Sequence, residues 1–390
     1  MPIYFDNAAT SWPKPSAVRA ALDAYFGGAG GNPGRAGHRM SIAASQIVED
    51  ARDNLSELLG VEDPAQVVFT KNATEALNIA IYGMLQPGDH AVTTSIEHNS
   101  VMRPLRHLES QGLELTVIGC GSDGRLNPDD VAESFRPETK LLTTVHGSNV
   151  TGTMIPIATV AAIAREHGVP YLVDASQTAG ALPIDVAETG VDLLACTGHK
   201  ALLGPTGTGA LYVREPLEVR PLLRGGTGSR SDLETQPEFM PDLLESGTMN
   251  VAGLAGLAAG VRFLLDEGVA AVAAHEQSLV ARFLGGAADI SGVTVYGPES
   301  LDDRCGVLCF NIDGLVSSDV GMLLDRDYDI LSRAGLHCAP GAHQTIGTFP
   351  TGTVRFGFSY ANTVDEVDES LDALSEIAAW AASRRSGSGG

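Results

Sequence analysis

Four things are missing from this sequence, and each removes a class of function. No apolar run approaches the roughly 20 residues that span a bilayer, and the N-terminus carries no basic segment followed by an apolar one. A cytoplasmic chain with no membrane contact is expected. Basic residues are scarce: 25 Lys and Arg stand against 48 Asp and Glu, a net charge of −23, which opposes nonspecific binding to nucleic acid or anionic lipid. Cysteine is sparse too. Its five positions (Cys120, Cys196, Cys305, Cys309, Cys338) are odd in number and show no paired metal-ligand spacing, so free thiols and no bound metal are expected. Finally, the glycine loops at 27–37 and 225–228 lack the strand–loop–helix setting with G-x-G-x-x-G or G-K-[ST] that a nucleotide-binding loop requires.

What is present is a chain of 390 residues, 44% apolar, long enough to bury a large core and form more than one domain. Apolar strand-like runs at 67–70, 90–94, 113–118, 140–146, 171–174, 191–196 and 209–213 alternate with helical patterns, among them 15–26, 39–60, 128–135 and 156–168. That β-α-β rhythm predicts an α/β fold with a mainly parallel sheet and helices on both faces. We expect a large domain over 12–262 and a smaller α+β domain from 1–11 and 263–382. The smaller one has strands near 292–296, 306–312 and 353–358 and helices near 268–286 and 364–382. The tail 383–390, rich in Ser and Gly, is expected to be disordered.

The chemistry centres on Leu193–Gly209, LLACTGHKALLGPTGTG, where a buried strand delivers Lys200 to a Gly/Pro/Thr turn. An ammonium there is unfavourable unless paired, depressed in pKa or consumed by a covalent bond, and bonding to an aldehyde cofactor is the commonest such use. Asp174 ends another strand 26 residues earlier. In a parallel sheet both would open on the carboxyl rim, the aspartate facing a pyridinium N–H and the lysine an aldehyde carbon, as pyridoxal phosphate requires. Lys71-Asn72-Ala73-Thr74 opens a helix whose free N–H groups suit a phosphate, although Asn72 or Thr74 can equally serve as an N-cap. His98 and Asn149 also follow strands; Asn149 is compatible with a plain turn.

The combination of Asp174-Ala175-Ser176-Gln177, Thr197-Gly198-His199-Lys200, Gly204-Pro205-Thr206-Gly207 and the N-terminal Tyr4-Phe5-Asp6-Asn7-Ala8-Ala9-Thr10 resembles the fold-type I pyridoxal phosphate enzymes of the class V aminotransferase group. Within that group it resembles the cysteine desulfurases and selenocysteine lyases. The resemblance implies a seven-stranded sheet in the large domain and a phosphate cradle from Ala73, Thr74, Thr197 and His199. It further implies a His98 ring stacked on the cofactor and moving protons, and Gln177 donating to the phenolic oxygen. Asn149 would reach the ring hydroxyl or the substrate carboxylate, and Arg355 would bind that carboxylate. Gly247 and Thr248 would come from a neighbouring subunit, implying a homodimer, with an active-site loop ending in Arg35 and His38 near the interface and with His38 and Arg333 serving substrate binding.

Arg333-Ala334-Gly335-Leu336-His337-Cys338-Ala339 resembles the R-x-G-x-H-C-A loop of group II cysteine desulfurases and implies Cys338 as nucleophile. Arg333 and His337 are the candidate cations for stabilising its thiolate. The reading is then desulfuration of L-cysteine to L-alanine, leaving a persulfide on Cys338 for a sulfur-acceptor protein or a reductant, as in iron–sulfur cluster assembly. Selenocysteine lyase, or a C–S lyase on a modified cysteine, is the close competitor. An aminotransferase would leave the cysteine loop without a purpose, and a non-enzymatic phosphate-binding module lacks the required loops. His343, five residues after Cys338, has either a place at the rim or none.

Overall fold

Runs such as Val67-Val68-Phe69, Leu172-Val173 and Leu193-Leu194-Ala195 are apolar at consecutive positions, which suits strands covered on both faces. The computed structural model, which describes residues 2–34 and 37–387, places them in one seven-stranded sheet. Its order is Val67–Thr70, Gly209–Val213, Leu193–Thr197, Tyr171–Asp174, Thr139–Val145, His90–Thr94 and Glu114–Ile118. Only Gly209–Val213 runs against its neighbours; the other pairings are parallel. The six concordant strands therefore end on one rim. Separate apolar cores cover the two faces: Val48, Leu55, Tyr171 and Leu257 belong to one, and Leu77, Leu105, Leu172 and Leu211 to the other.

A second, antiparallel sheet of four strands orders Arg333–Gly335, Thr353–Gly357, Val307–Ile312 and Val293–Tyr296. Its own core is aromatic. Phe356 lies 4.8 Å from Phe5, 5.0 Å from Phe310 and 5.5 Å from Phe283 between ring centroids, against the helices Val269–Ala288 and Val364–Gly387. The N-terminus joins this unit: Ile3–Tyr4 pairs in parallel with Ile330–Leu331.

Three expectations shift. The helix Val251–Glu267 is continuous across the expected boundary at 262 and packs on Ser16–Ala24 and Arg39–Leu59. The final helix Val364–Gly387 carries 383–387, expected as tail, because its Ala- and Ser-rich sequence continues without a stop. The first helix is prolonged through Gly27 and Gly28 by a π-type turn, Tyr25–Ala29, where neither helix nor strand was expected.

Candidate active site

Five strand ends on the shared rim build a single pocket of about 160 Å³. Thr70 leads to the helix Ala73–Met84, whose N-cap is Asn72: its Oδ1 accepts the Glu75 amide at 3.0 Å. Capping at the third position leaves the Ala73 and Thr74 amides without a protein acceptor among the described residues, aimed along the positive end of the helix. The Thr74 hydroxyl does not cap; it sits 2.8 Å from Ser100 Oγ. Gly209 makes this approach possible, since a Cβ there would lie 2.7 Å from the Asn72 backbone.

His98 follows the next strand end and caps the helix Asn99–Glu109, its Nδ1 accepting the Ser100 amide at 3.1 Å. The ring proton is thereby placed on Nε2. Burial lowers the His98 pKa to about 4 although Asp174 opposes the shift, so the ring is neutral near pH 7. Asp174 is buried and accepts the Ser176 amide at 3.0 Å. Lys200 shares the pocket with both. Loss of solvation, chiefly, brings its amine down to about 8; the Arg355 and Arg333 guanidiniums add to the depression, and Asp174 and Cys338 oppose it.

Unmet polar groups decide whether the pocket fits pyridoxal phosphate. Thr197 Oγ1, His199 Nδ1 and Asn149 Oδ1 are buried with no partner, and all three residues line the pocket with Ala73, Thr74, Gln177, Asp174 and Lys200. Native interiors seldom leave such atoms unpaired. Thr197 Oγ1, the His199 ring and the two free helix amides offer donors for a phosphate at one end, Asp174 a carboxylate for a pyridinium nitrogen and Lys200 an amine for an aldehyde, while Asn149 Oδ1 offers an acceptor. The residues fit the cofactor. Gln177 commits one amide hydrogen to Ala8 O at 3.0 Å and keeps the other.

The Cys338 loop approaches from the four-stranded sheet. Residues 336–339 join Arg333–Gly335 to the helix Pro340–Thr345, with His337 and Cys338 at φ of +49° and +58°, left-handed values costly for side chains other than glycine. Hydrogen bonds to its backbone carbonyls help hold the loop. The Asn149 amide donates to His337 O at 2.6 Å, the Asn99 N–H to Cys338 O at 2.8 Å and the Ala339 N–H to Leu336 O at 2.9 Å. Cys338 is the one exposed cysteine. Burial raises the thiols of Cys196, Cys305 and Cys309 to about 12 and that of Cys120 to about 11, which removes them as nucleophiles.

Several expected roles meet a different geometry. His337 is no cation: it is buried, its ring bonded to Thr353 O at 3.1 Å, and desolvation takes its pKa to about 2. Arg333, exposed at the strand edge opposite Arg355, remains the candidate positive group. Arg355 is buried, with Nη2 donating to Asp6 Oδ1 at 2.9 Å and Nη1 to Asn149 O at 3.0 Å, so its fork is already engaged. His38 is exposed and caps Arg39–Leu59; it does not line the pocket. Thr248 lies with Gly247 and Lys71 in a separate cleft. Arg35 falls outside the described residues. His343 is fully buried beneath His337, ring centroids 5.4 Å apart, and supports the loop through Thr348 at 2.7 Å.

Sequence reading missed Ser100 and Ser176, which orient His98 and Asp174, and Glu97, a buried carboxyl raised to about 8 by desolvation that accepts the Val145 amide at 3.1 Å. A hydroxyl two residues after each of His98 and Asp174 was the available signal.

The family model for aminotransferase class-V matches residues 3–369. A probable cysteine desulfurase of Halobacterium salinarum is 37% identical over 96% of this chain and 91% of its own length. A cysteine desulfurase of Haloferax volcanii is 35% identical over 95% and 88%. Among solved structures, the apo cysteine desulfurase of Thermococcus onnurineus superimposes with a TM-score of 0.91 at 35% identity, covering 97% of this chain and 94% of that one. The Escherichia coli cysteine desulfurase CsdA, in an S-sulfonic acid form, gives 0.86 at 30% over 96% and 94%. Class V members work on pyridoxal phosphate, the group this pocket fits, and likeness of this extent over nearly the whole chain places it in the cysteine desulfurase family of the class V aminotransferases.

Proposed function

We propose that this enzyme removes sulfur from L-cysteine, releasing L-alanine and leaving a persulfide on Cys338. The observation that carries the reading is that the one exposed thiol stands on a short loop of the smaller unit pinned to Asn149, which lines the pocket of Lys200 and Asp174, and to Asn99. Pyridoxal phosphate, when bound, supplies an electron sink at the substrate α-carbon. Lys200, Asp174, Gln177, Thr197, His199, Ala73 and Thr74 would hold it, and the Asp174 carboxylate would serve its ring nitrogen.

The protein's own work is positioning and proton transfer. Arg355 and Asn149 receive the substrate carboxylate. The Lys200 amine, lowered to about 8, moves the α-proton near neutral pH. His98, neutral with its proton on Nε2, donates a hydrogen bond and not a charge. Cys338 Sγ attacks the substrate sulfur; an S–S bond forms as the Cβ–S bond breaks, and the electron pair left on carbon takes a proton to give the alanine methyl. Sulfur is oxidised and carbon reduced within the same pair of reactants, so no external oxidant is needed. The persulfide then passes to a sulfur-acceptor protein or a reductant, the supply iron–sulfur assembly draws on.

A homodimer completes the site. Phe26, Ile42, Leu223 and Phe239 are exposed large apolar side chains on segments flanking the glycine loops, and Thr248 stands outside its own chain's pocket, available to a partner's phosphate cradle. Among the described residues no helix is long and apolar enough to cross a membrane; with five free cysteines a reducing cytoplasm suits the chain.

Cys338→Ala tests the reading. It should retain bound cofactor while alanine and sulfide formation from L-cysteine fall by at least about 100-fold. Unchanged cysteine turnover would refute the nucleophile assignment, and turnover lost on cysteine but kept on selenocysteine would mark a lyase able to act without the thiol.

A further inference from the structure

The N-terminal motif Tyr4–Thr10 has no part in the chemistry above, yet the segment containing it touches four site residues in succession. Asp6 accepts from Arg355 at 2.9 Å, Ala8 O accepts the Gln177 amide at 3.0 Å, Thr10 Oγ1 donates to His199 O at 3.0 Å and Ser11 Oγ donates to Lys200 O at 2.7 Å. The strap is fixed to the smaller unit by Asn7, whose amide donates to Gly357 O at 2.9 Å.

Asp6 is the member with unexplained chemistry. The Arg355 side chain is 2% exposed, and Asp6, at 24%, is its carboxylate partner. The guanidinium's remaining protein acceptor is a neutral carbonyl, Asn149 O, and its Nε–H is buried without any acceptor. A buried guanidinium stripped of its counter-charge is strongly unfavourable, so an empty site needs a resident carboxylate. A second carboxylate arriving at the same fork meets the first as a like charge. The incoming group gains the idle Nε–H, whereas Asp6, a quarter exposed, has solvent to return to.

We propose that Asp6 is a place-holding counter-ion: it occupies Arg355 while the site is empty, and the α-carboxylate of the amino-acid substrate displaces it. Asp6 is thus a positioning residue that sets substrate affinity by competition. The inference rests on the reading of Arg355 as the carboxylate binder.

The test is Asp6→Asn in the holoenzyme. The KM for L-cysteine and the dissociation constant of L-alanine should both fall about tenfold, the scale of a close charge pair, with kcat within about twofold. The substrate-free variant should melt below wild type, and acetate, as a probe carboxylate, should raise its Tm while leaving wild type nearly unmoved. A rise in KM would overturn the proposal, since it would make Asp6 an orienting group that substrate needs. Should the variant fail to fold, the structure of the wild-type holoenzyme with L-alanine decides: Asp6 parted from Arg355 is expected, and a retained ion pair overturns displacement. Arg355→Lys separates the two readings, because an unchanged KM for cysteine in that variant removes the carboxylate-binding role itself and not the competition at Asp6.

Discussion

Solvation separates Cys338, the proposed nucleophile, from the four other thiols. Cys196, Cys305 and Cys309 sit in apolar surroundings where a thiolate has no stabilising solvent, and Cys338 stands in water. The same physics acts on acids. Glu276 is buried beside a small cavity lined by Lys200, Ser11 and Ser359, and desolvation raises its pKa to about 8 from 4.5. Between those values the folded state holds a proton that the unfolded chain has released, so stability is full at low pH and declines as pH rises toward 8. Each such group contributes up to about 1.4 kcal/mol per pH unit. Denaturant titrations of Glu276→Gln between pH 7 and 8 should therefore show a shallower decline than wild type, Glu97 accounting for what remains. An identical slope in both proteins would mean that Glu276 is ionised in the fold.

At this scale the sequence was legible where chemistry is local. Lys200 and Asp174 announce themselves because a charged residue ends an apolar run, and both do line one pocket. His337 misled because its charge depends on burial under Thr353 and His343, which no neighbour in sequence reveals. The partner of Arg355 lies 349 positions away and leaves no trace in spacing.

Among the elements, the Cys338 turn stores backbone strain that its anchors offset. Two consecutive left-handed residues, neither glycine, hold the thiol forward. Cys338→Gly removes the steric conflict that Cys338→Ala keeps, and neither variant retains the thiol. The glycine variant should be the more stable of the two by about 1 kcal/mol in thermal melts; equal or reversed stability would show that the Asn99 and Asn149 bonds already absorb the cost. Consecutive apolar runs and period-3.6 patterns revealed the strands of the large sheet and most helices, since burial on one or two faces writes itself into hydrophobicity. Helix ends were less readable: the π-type turn at Tyr25–Ala29 runs through two glycines that disfavour helix, and the final helix continues to Gly387 because no breaking residue stops it earlier.

For the whole molecule, 23 excess negative charges oppose association, so the proposed dimer must rest on its apolar segments. Replacing Ile42, 61% exposed, by Asp should shift sedimentation toward monomer and weaken cofactor retention together, because Thr248 would no longer reach its neighbour's phosphate seat. A monomeric variant that binds cofactor normally would refute the shared site.

The lone reversed strand, Gly209–Val213, has a practical corollary. With its six companions aligned, the pocket residues gather on one side of the slab, and the turns preceding His90 and Tyr171 lie on the other. A tether or fusion partner grafted on that underside would leave the pocket mouth and the proposed sulfur handover unobstructed, whereas the same graft on the opposite side would block both.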